Sequence, residues 1–322
     1  LRACTTKKLL EESVKVLVTQ IIDDVGIEAL HDAGLTADVW PGPAPIPRHE
    51  LLQRVAHCQG IIAMPTDRID AEVMDAGPLQ VVANHAVGVD NIDLQAAHDR
   101  QITVTNTPGV LTDATADLTM ALVLACARRV LEGHALVTSG AFEGWRPTML
   151  RGMDLRGATL GIVGMGRIGR AVSERAAAFG MKVVHHSRTG GVPLQTLLAE
   201  SDVLSLHCPL TEDTRHLIDA DALERMKSSA ILINTARGPV VDESALVRAL
   251  EADGIAAAGL DVFEEEPQVH PGLIGLPNVV LLPHLGSATR HTRKQMAQMA
   301  AANLIAVLSG RLPPTPVLKE SS

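Results

Sequence analysis

The chain has 322 residues, enough for two domains with separate cores. Its 28 Lys and Arg are scattered against 37 Asp and Glu, for a net charge of −9, and its only aromatic rings are Trp40, Phe142, Trp145, Phe179 and Phe263. A nucleic-acid binder needs a basic footprint, often with stacking platforms, and a spanning helix needs an apolar run of roughly 18 residues. Neither is present, so nucleic acid and membrane are excluded as partners.

The first segment, LRACTTKKLLEES, has two lysines but no apolar stretch of the secretory kind. It is set aside from the fold argument, and a soluble, cytoplasmic protein is expected. From Val14 onward short apolar runs alternate with helix-period segments. Strands are predicted at Val14–Thr19, Ala37–Trp40, Gly60–Met64, Gln80–Asn84 and Ile102–Thr105. Helices are predicted at Val25–Ala33, His49–Gln59 and Ile92–Arg100, with a stiff proline-rich loop over Trp40–Pro47. Such alternation predicts a parallel sheet covered by helices.

Thr112–Leu131 reads as one long helix, apolar almost all round and so buried on several sides, placed to bridge two domains. Gly140–Pro147 is loop-like. A second alternating series follows, with strands at Leu160–Val163, Lys182–His186, Val203–His207, Ala230–Asn234, Ala257–Asp261 and Val279–Leu282, the six of a dinucleotide fold. The last helix is predicted over Ala288–Leu308. If it packs back on the first domain, that domain is discontinuous.

The segment Gly161-Ile-Val-Gly164-Met-Gly166-Arg167-Ile168-Gly169 ends an apolar strand and opens a helix over Arg167–Phe179, the context a dinucleotide fingerprint requires. Gly164 permits the turn, Gly166 lets backbone approach a pyrophosphate, and Gly169 lets helix and strand pack closely. Arg167 and Ile168 begin the helix whose free N–H groups attract phosphate. NAD binders place an acid at the end of the next strand. Here Ser187-Arg188-Thr189 stands instead, and a hydroxyl beside a guanidinium suits a 2′-phosphate. NADP(H) is therefore expected over NAD(H), with NAD(H) the alternative. His185 and His186 adjoin this strand and are left out of the site. Cys4, Cys58, Cys126 and Cys208 lie far apart without C-x-x-C spacing, and no H-E-x-x-H occurs. No metal is expected.

Three more segments fall at strand ends, where doubly wound sheets bind ligands: Asn234-Thr-Ala-Arg237, Asp261-Val-Phe-Glu-Glu-Glu266-Pro267 and Pro283-His284-Leu-Gly286. Reducing a 2-keto acid needs a cation for the carboxylate, a proton donor for the carbonyl oxygen and a group that tunes the donor. Arg237, His284 and Glu266 can fill these roles.

Together these segments resemble the D-isomer-specific 2-hydroxyacid dehydrogenases, over nearly the whole chain from about Val14 to Val317. Ala83-Asn-His-Ala-Val-Gly-Val-Asp-Asn-Ile-Asp93 is similar to the family's substrate loop, and Asn106-Thr-Pro-Gly-Val to its crossover. Glu266 follows Arg237 by 29 residues and His284 follows Glu266 by 18. Val-Leu-Thr-Asp-Ala-Thr-Ala-Asp117, Gly144-Trp145 and the His284 segment resemble the glyoxylate/hydroxypyruvate reductase branch. The resemblance implies a Rossmann-type, doubly wound cofactor domain over residues 110–291. It further implies a flavodoxin-like α/β substrate domain over 1–109 and 292–322.

By the same resemblance, the N–H groups of Val87 and Gly88 with Arg237 hold the substrate carboxylate, His284 donates the proton, and Glu266 keeps His284 protonated. Choosing Glu266 over Glu264 and Glu265 rests on the family's acid-before-proline pattern, and the other two are expected to be solvated. Asp261, Thr235, Ala236 and Gly286 are implied near the nicotinamide, and Cys208, Pro209 and Thr214 near the adenosine. Met64-Pro-Thr66, at the end of the third predicted strand, is expected to form the substrate-side wall. Trp145 either packs a homodimer or reaches the partner's pocket. The implied activity is NADPH-dependent reduction of glyoxylate and hydroxypyruvate. A broader 2-keto acid reductase is the alternative, and a nucleotide-sensing scaffold of the same fold, with extra tails not read here, stands as the non-enzymatic one. A formate dehydrogenase is disfavoured, because that branch pairs the His with a Gln.

Overall fold

The computed structural model describes residues 14–318, so the N-terminal segment with Cys4 lies outside the described residues. The chain divides into two compact units, one holding residues up to Pro108 together with those from Arg293, the other Gly109–Thr292.

In the first unit β1 (Lys15–Val18), α1 (Asp24–Asp32), β2 (Thr36–Val39), α2 (Arg48–Val55), β3 (Gly60–Ala63), α3 (Ala71–Asp75), β4 (Val81–Asn84), α4 (Leu94–Asp99) and β5 (Thr103–Thr105) alternate. The parallel sheet runs β2-β1-β3-β4-β5, the flavodoxin-like order. Successive strand residues face opposite ways, and the core divides accordingly. Val16, Val18, Ile62 and Val81 pack with Leu30 and with Ala297, Ala301 and Leu304 of the C-terminal helix. Leu17, Ile61 and Val82 pack with Leu51, Val55, Val73 and Ala97. The final residues return to the sheet, where Pro316 bridges Thr105 antiparallel and Val317 N–H donates to the Val104 carbonyl at 2.8 Å. Asp23, Asp70 and Asp93 cap their helices by accepting backbone N–H groups.

The second unit opens with α5 (Thr112–Ala127) and α6 (Val130–Thr138), where the sequence predicts one helix to Leu131. Arg129 takes a left-handed backbone with φ 52°, and Met153 N–H captures the Ala127 carbonyl at 2.8 Å. That bond draws off a carbonyl the next helical turn would use, and apolar periodicity cannot register it. Then come β6 (Thr159–Val163), α7 (Arg167–Ala178), β7 (Lys182–Ser187), β8 (Gly190–Gly191), α8 (Leu194–Glu200), β9 (Val203–Leu206), α9 (Ala220–Arg225), β10 (Ile231–Asn234), α10 (Glu243–Glu251), β11 (Ala257–Leu260), β12 (Val279–Leu281) and α11 (Arg290–Leu308), which continues into the first unit. The sheet runs β12-β11-β10-β9-β6-β7-β8, seven strands where six are predicted. The extra strand is the two-glycine β8, antiparallel to β7 and too short for any periodicity.

One face of this sheet packs Leu204, Leu232 and Leu260 against Leu197, Leu223 and Leu246. The other packs Ile162, Ile231 and Ile233 against Met120, Val123 and Cys126 of α5 and Val172 of α7. Among the described residues no helix is long and apolar enough to cross a membrane.

Candidate active site

Arg237, Glu266 and His284 lie beyond the carboxyl ends of the neighbouring strands β10, β11 and β12, all in the second unit. His284 Nδ1 is 2.9 Å from Glu266 Oε2, and Glu266 Oε1 accepts the Phe263 N–H at 3.0 Å. A carboxylate only accepts, so this contact puts a proton on Nδ1 and leaves Nε2 for chemistry. Burial pushes the Glu266 carboxyl up, but the hydrogen bond and charge of His284, the Phe263 N–H and the Arg237 guanidinium outweigh it. Glu266 therefore ionises below its ordinary range. Arg237 is thus electrostatically within reach of Glu266. Its backbone is held by Asn234, whose side chain donates to the Arg237 carbonyl at 2.8 Å and accepts the Ala236 N–H at 3.0 Å.

His284 takes a left-handed backbone, φ 57°, which a residue with a Cβ rarely adopts. Asp261 explains how it is kept. Fully buried, Asp261 accepts His284 N–H on its carbonyl at 2.9 Å, and its two carboxylate oxygens take the N–H groups of Leu285 and Gly286 at 2.6 and 2.8 Å. Burial raises the Asp261 pKa despite these donors.

Helix α5 adds two residues the sequence reading gave no role. Thr115 Oγ1 donates to the Gly286 carbonyl at 3.1 Å, and Thr119 Oγ1 donates to the Thr115 carbonyl at 2.8 Å. Thr119 has one hydroxyl proton, so its 2.9 Å contact with Thr235 is a bond that Thr235 donates. The strand end at Thr235 and the loop at Gly286 are thereby tied to one helix. Threonines four residues apart on an otherwise apolar helix are the signal that could have found them. Gly286 has both backbone polar groups engaged in these contacts, and Ala236 is engaged through Asn234 and a 2.8 Å bond from Arg237 Nη1.

Glu264 corrects an expectation. Instead of being solvated, it bonds His216 Nε2 through Oε1 at 2.5 Å, while its backbone N–H donates to Glu243 Oε1 at 2.8 Å. His216 N–H in turn donates to the Pro239 carbonyl at 2.8 Å. This cluster joins the stretch just after Arg237 to the loop bearing Glu266. Glu265 is exposed.

The glycine loop sits at the end of β6, next to β9, where the strand order reverses. Gly164 has φ 95°, and a Cβ there would lie 2.7 Å from the backbone of His207 and Cys208. A Cβ on Gly169 would lie 2.2 Å from the Gly164 carbonyl, whereas one on Gly166 would meet nothing within 4 Å. Backbone at Gly166 and at the exposed start of α7, Arg167 and the half-buried Ile168, is therefore open to an anion, which fits a pyrophosphate. At the end of β7, Ser187 Oγ donates to the Gly190 carbonyl at 3.0 Å and touches Thr189 Oγ1 at 3.4 Å, while Arg188 is exposed. His186 Nδ1 lies 3.0 Å from the Val192 carbonyl, a structural contact. In the loop after β9, Cys208 is buried and its thiol is raised to about 11 by burial. Pro209 is exposed, and the Thr214 hydroxyl is engaged within the loop, donating to the Pro209 carbonyl at 2.7 Å and accepting the Thr211 N–H at 2.8 Å.

In the first unit Val87 and Gly88 lie in the loop after β4, half-exposed. Met64 follows β3, and there Asp67 accepts the Met64 N–H at 2.7 Å and the Thr19 hydroxyl at 2.5 Å. Trp145 is exposed. Among the described residues no group of three or more His, Cys, Asp or Glu could hold a metal ion.

A doubly wound sheet with a glycine phosphate loop, and a histidine–carboxylate pair beside an arginine at its strand ends, defines a nucleotide-dependent oxidoreductase. Residues 120–286 match the family model described as D-isomer specific 2-hydroxyacid dehydrogenase, NAD binding domain. A glyoxylate reductase of Thermococcus litoralis is 48% identical, the match covering 95% of this chain and 97% of that one. The crystal structure of a Thermus thermophilus protein, TT0316, has a TM-score of 0.91 at 51% identity, covering 95% of this chain and 100% of that one. An NADPH-dependent glyoxylate/hydroxypyruvate reductase from Sinorhizobium meliloti, in complex with NADP and malonate, has a TM-score of 0.84 at 36% identity, covering 94% and 96%. The chain belongs to the D-isomer-specific 2-hydroxyacid dehydrogenases.

Proposed function

We propose that the chain reduces small 2-keto acids with NADPH, turning glyoxylate into glycolate and hydroxypyruvate into D-glycerate, with NAD(H) the weaker cofactor. The observation that carries this reading is the His284–Glu266 pair, with Arg237 beside it, in the unit that bears the glycine loop. The bound nicotinamide cofactor supplies the hydride. Arg237 meets the substrate carboxylate with its planar fork, together with the N–H groups of Val87 and Gly88. His284 gives its Nε2 proton to the carbonyl oxygen as the carbonyl carbon gains hydride. Glu266 holds Nδ1–H and orients the ring. One hydride and one proton convert the 2-oxo group, an aldehyde in glyoxylate and a ketone in hydroxypyruvate, to an alcohol, so charge and electrons balance.

The unit containing Val87 and Gly88 is then the substrate domain, and Gly109–Thr292 the cofactor domain. Gly164, Gly166, Arg167, Ile168 and Gly169 hold the pyrophosphate, and Ser187, Arg188 and Thr189 the 2′-phosphate. The contacts that anchor Asp261, Thr235 and Gly286 favour a framing role for them beneath the nicotinamide. We further infer a homodimer, because Val130, Leu131, Val137, Phe142 and Trp145 are all exposed apolar residues in one stretch of chain.

The test is a matrix of NADPH and NADH against glyoxylate, hydroxypyruvate, pyruvate and 2-ketogluconate. Highest kcat/KM is expected for NADPH with the first two acids. No oxidation of NADPH by any acid would overturn the proposal, and preference for the longer acids would favour the broader reductase. Light scattering at twice the 34.1 kDa chain mass is the expected result for the dimer.

A further inference from the structure

We infer that Asn106 is a positioning residue for carboxylate recognition, presetting the N–H groups of Val87 and Gly88 by holding the peptide units they belong to. The inference rests on the reading above. Two consecutive carbonyls of the loop after β4 reach the same dipeptide: the Ala86 carbonyl accepts the Thr107 N–H at 2.8 Å, and the Val87 carbonyl accepts Asn106 Nδ2 at 2.8 Å. In extended backbone, consecutive carbonyls point to opposite sides. Here both point one way. A peptide unit is planar and trans, so its N–H points opposite to its carbonyl. The Ala86 carbonyl shares a unit with Val87 N–H, and the Val87 carbonyl shares one with Gly88 N–H. Both N–H groups are thus aimed together away from Asn106 and Thr107, in a backbone concavity of the kind that binds an anion. Neither has an acceptor among the described residues. Asn84 Nδ2 adds a third hold on the Gly88 carbonyl at 2.7 Å.

Asn106 is itself fixed. Its carbonyl accepts Thr315 Oγ1 at 2.6 Å and Asn303 Nδ2 at 3.3 Å, and its N–H donates to the Thr315 carbonyl at 3.3 Å. Asn303 is fully buried, and its side-chain oxygen takes the Thr315 N–H at 2.9 Å. A side chain so anchored holds the Val87 peptide in one orientation before any substrate arrives, so the anion meets donors that need no reordering.

The test uses the whole enzyme and two variants. Asn106→Leu keeps nearly the same size and adds no charge but cannot donate to the Val87 carbonyl, whereas Asn106→Ser keeps a shorter donor. For Asn106→Leu, KM for glyoxylate and the dissociation constant of oxalate, measured by calorimetry with NADP+ bound, should rise on the order of ten-fold. NADPH affinity should hold, kcat should change less, and Asn106→Ser should lose less than Asn106→Leu. Turnover of methylglyoxal, which has no carboxylate, should be unchanged. Equal losses with glyoxylate and methylglyoxal, or unchanged oxalate binding, would overturn the inference. The oxalate measurement needs no turnover, so it reads the clamp even where the wild type reduces no keto acid, a result that would instead sink the proposed activity.

Discussion

His216 grips Glu264 two residues before the carboxylate that pairs with His284, at 2.5 Å and from a backbone in the left-handed region, φ 51°. Because His216 also bonds the chain at Pro239, this contact sets the spacing between the arginine strand end and the glutamate loop. Glu264→Ala should lower kcat/KM on the order of ten-fold through misplacement of the reacting groups. Glu264→Gln, which can still accept from His216, should lose far less. Steady-state kinetics of the two variants decide this, and equal losses would assign Glu264 a role through its charge.

The proposed roles of His284 and Glu266 separate by magnitude. His284→Gln should cost roughly two to four orders of magnitude in kcat, while NADPH fluorescence titration stays near wild type. Glu266→Gln should cost less, since the ring remains. Glu266 ionises below its usual range in the fold, so the stability it contributes is present above the unfolded carboxyl pKa. That contribution fades as pH falls through the depressed folded value. Urea unfolding between pH 6 and pH 3 should therefore show a smaller acid loss for Glu266→Gln than for wild type.

The proposed NADP preference rests on the end of β7. Ser187→Asp places a negative charge where a 2′-phosphate is expected, and Coulomb repulsion should move the ratio of kcat/KM values toward NADH by about ten-fold or more. The Ser187 hydroxyl bonds the Gly190 carbonyl, so it must turn to serve a phosphate. An unaltered ratio would remove this residue from the cofactor site.

His85 offers a pH test outside the proposed chemistry. It is 4% exposed, its Nδ1 has no partner among the described residues, and burial, with nearby Arg293, lowers its pKa to about 4. The unfolded chain binds this proton near pH 6.5 and the fold only near 4. Stability should thus fall as pH drops through that window, by up to about 1.4 kcal/mol per unit. His85→Gln should flatten the slope in chemical denaturation between pH 7 and pH 4, and an unchanged slope would count against the buried neutral imidazole.

The strands and the glycine loop were legible because fully buried parallel strands write themselves as apolar runs, and because Gly164 and Gly169 occupy places that no Cβ fits. What stayed hidden depends on contacts between distant segments. The break at Arg129 answers to Met153, 24 residues on, and Glu264 differs from its exposed neighbour Glu265 only through His216 and Glu243. Alternation of apolar residues carries neither fact. The three acids before Pro267 look alike in sequence, and only the resemblance to relatives separated Glu266 from the others.

The return of Pro316 and Val317 to the edge of β5 bears on the order in which the molecule is made. All strands of the Gly109–Thr292 unit leave the ribosome before α11 and the closing segment do, so that unit can fold while translation continues. The other must wait with one face of its sheet lacking Ala297, Ala301 and Leu304 and with Asn106 unclasped. Its first hundred residues are thus a half-built vessel during synthesis, with apolar strand residues such as Val16, Val18 and Ile62 short of their helical cover until α11 is made.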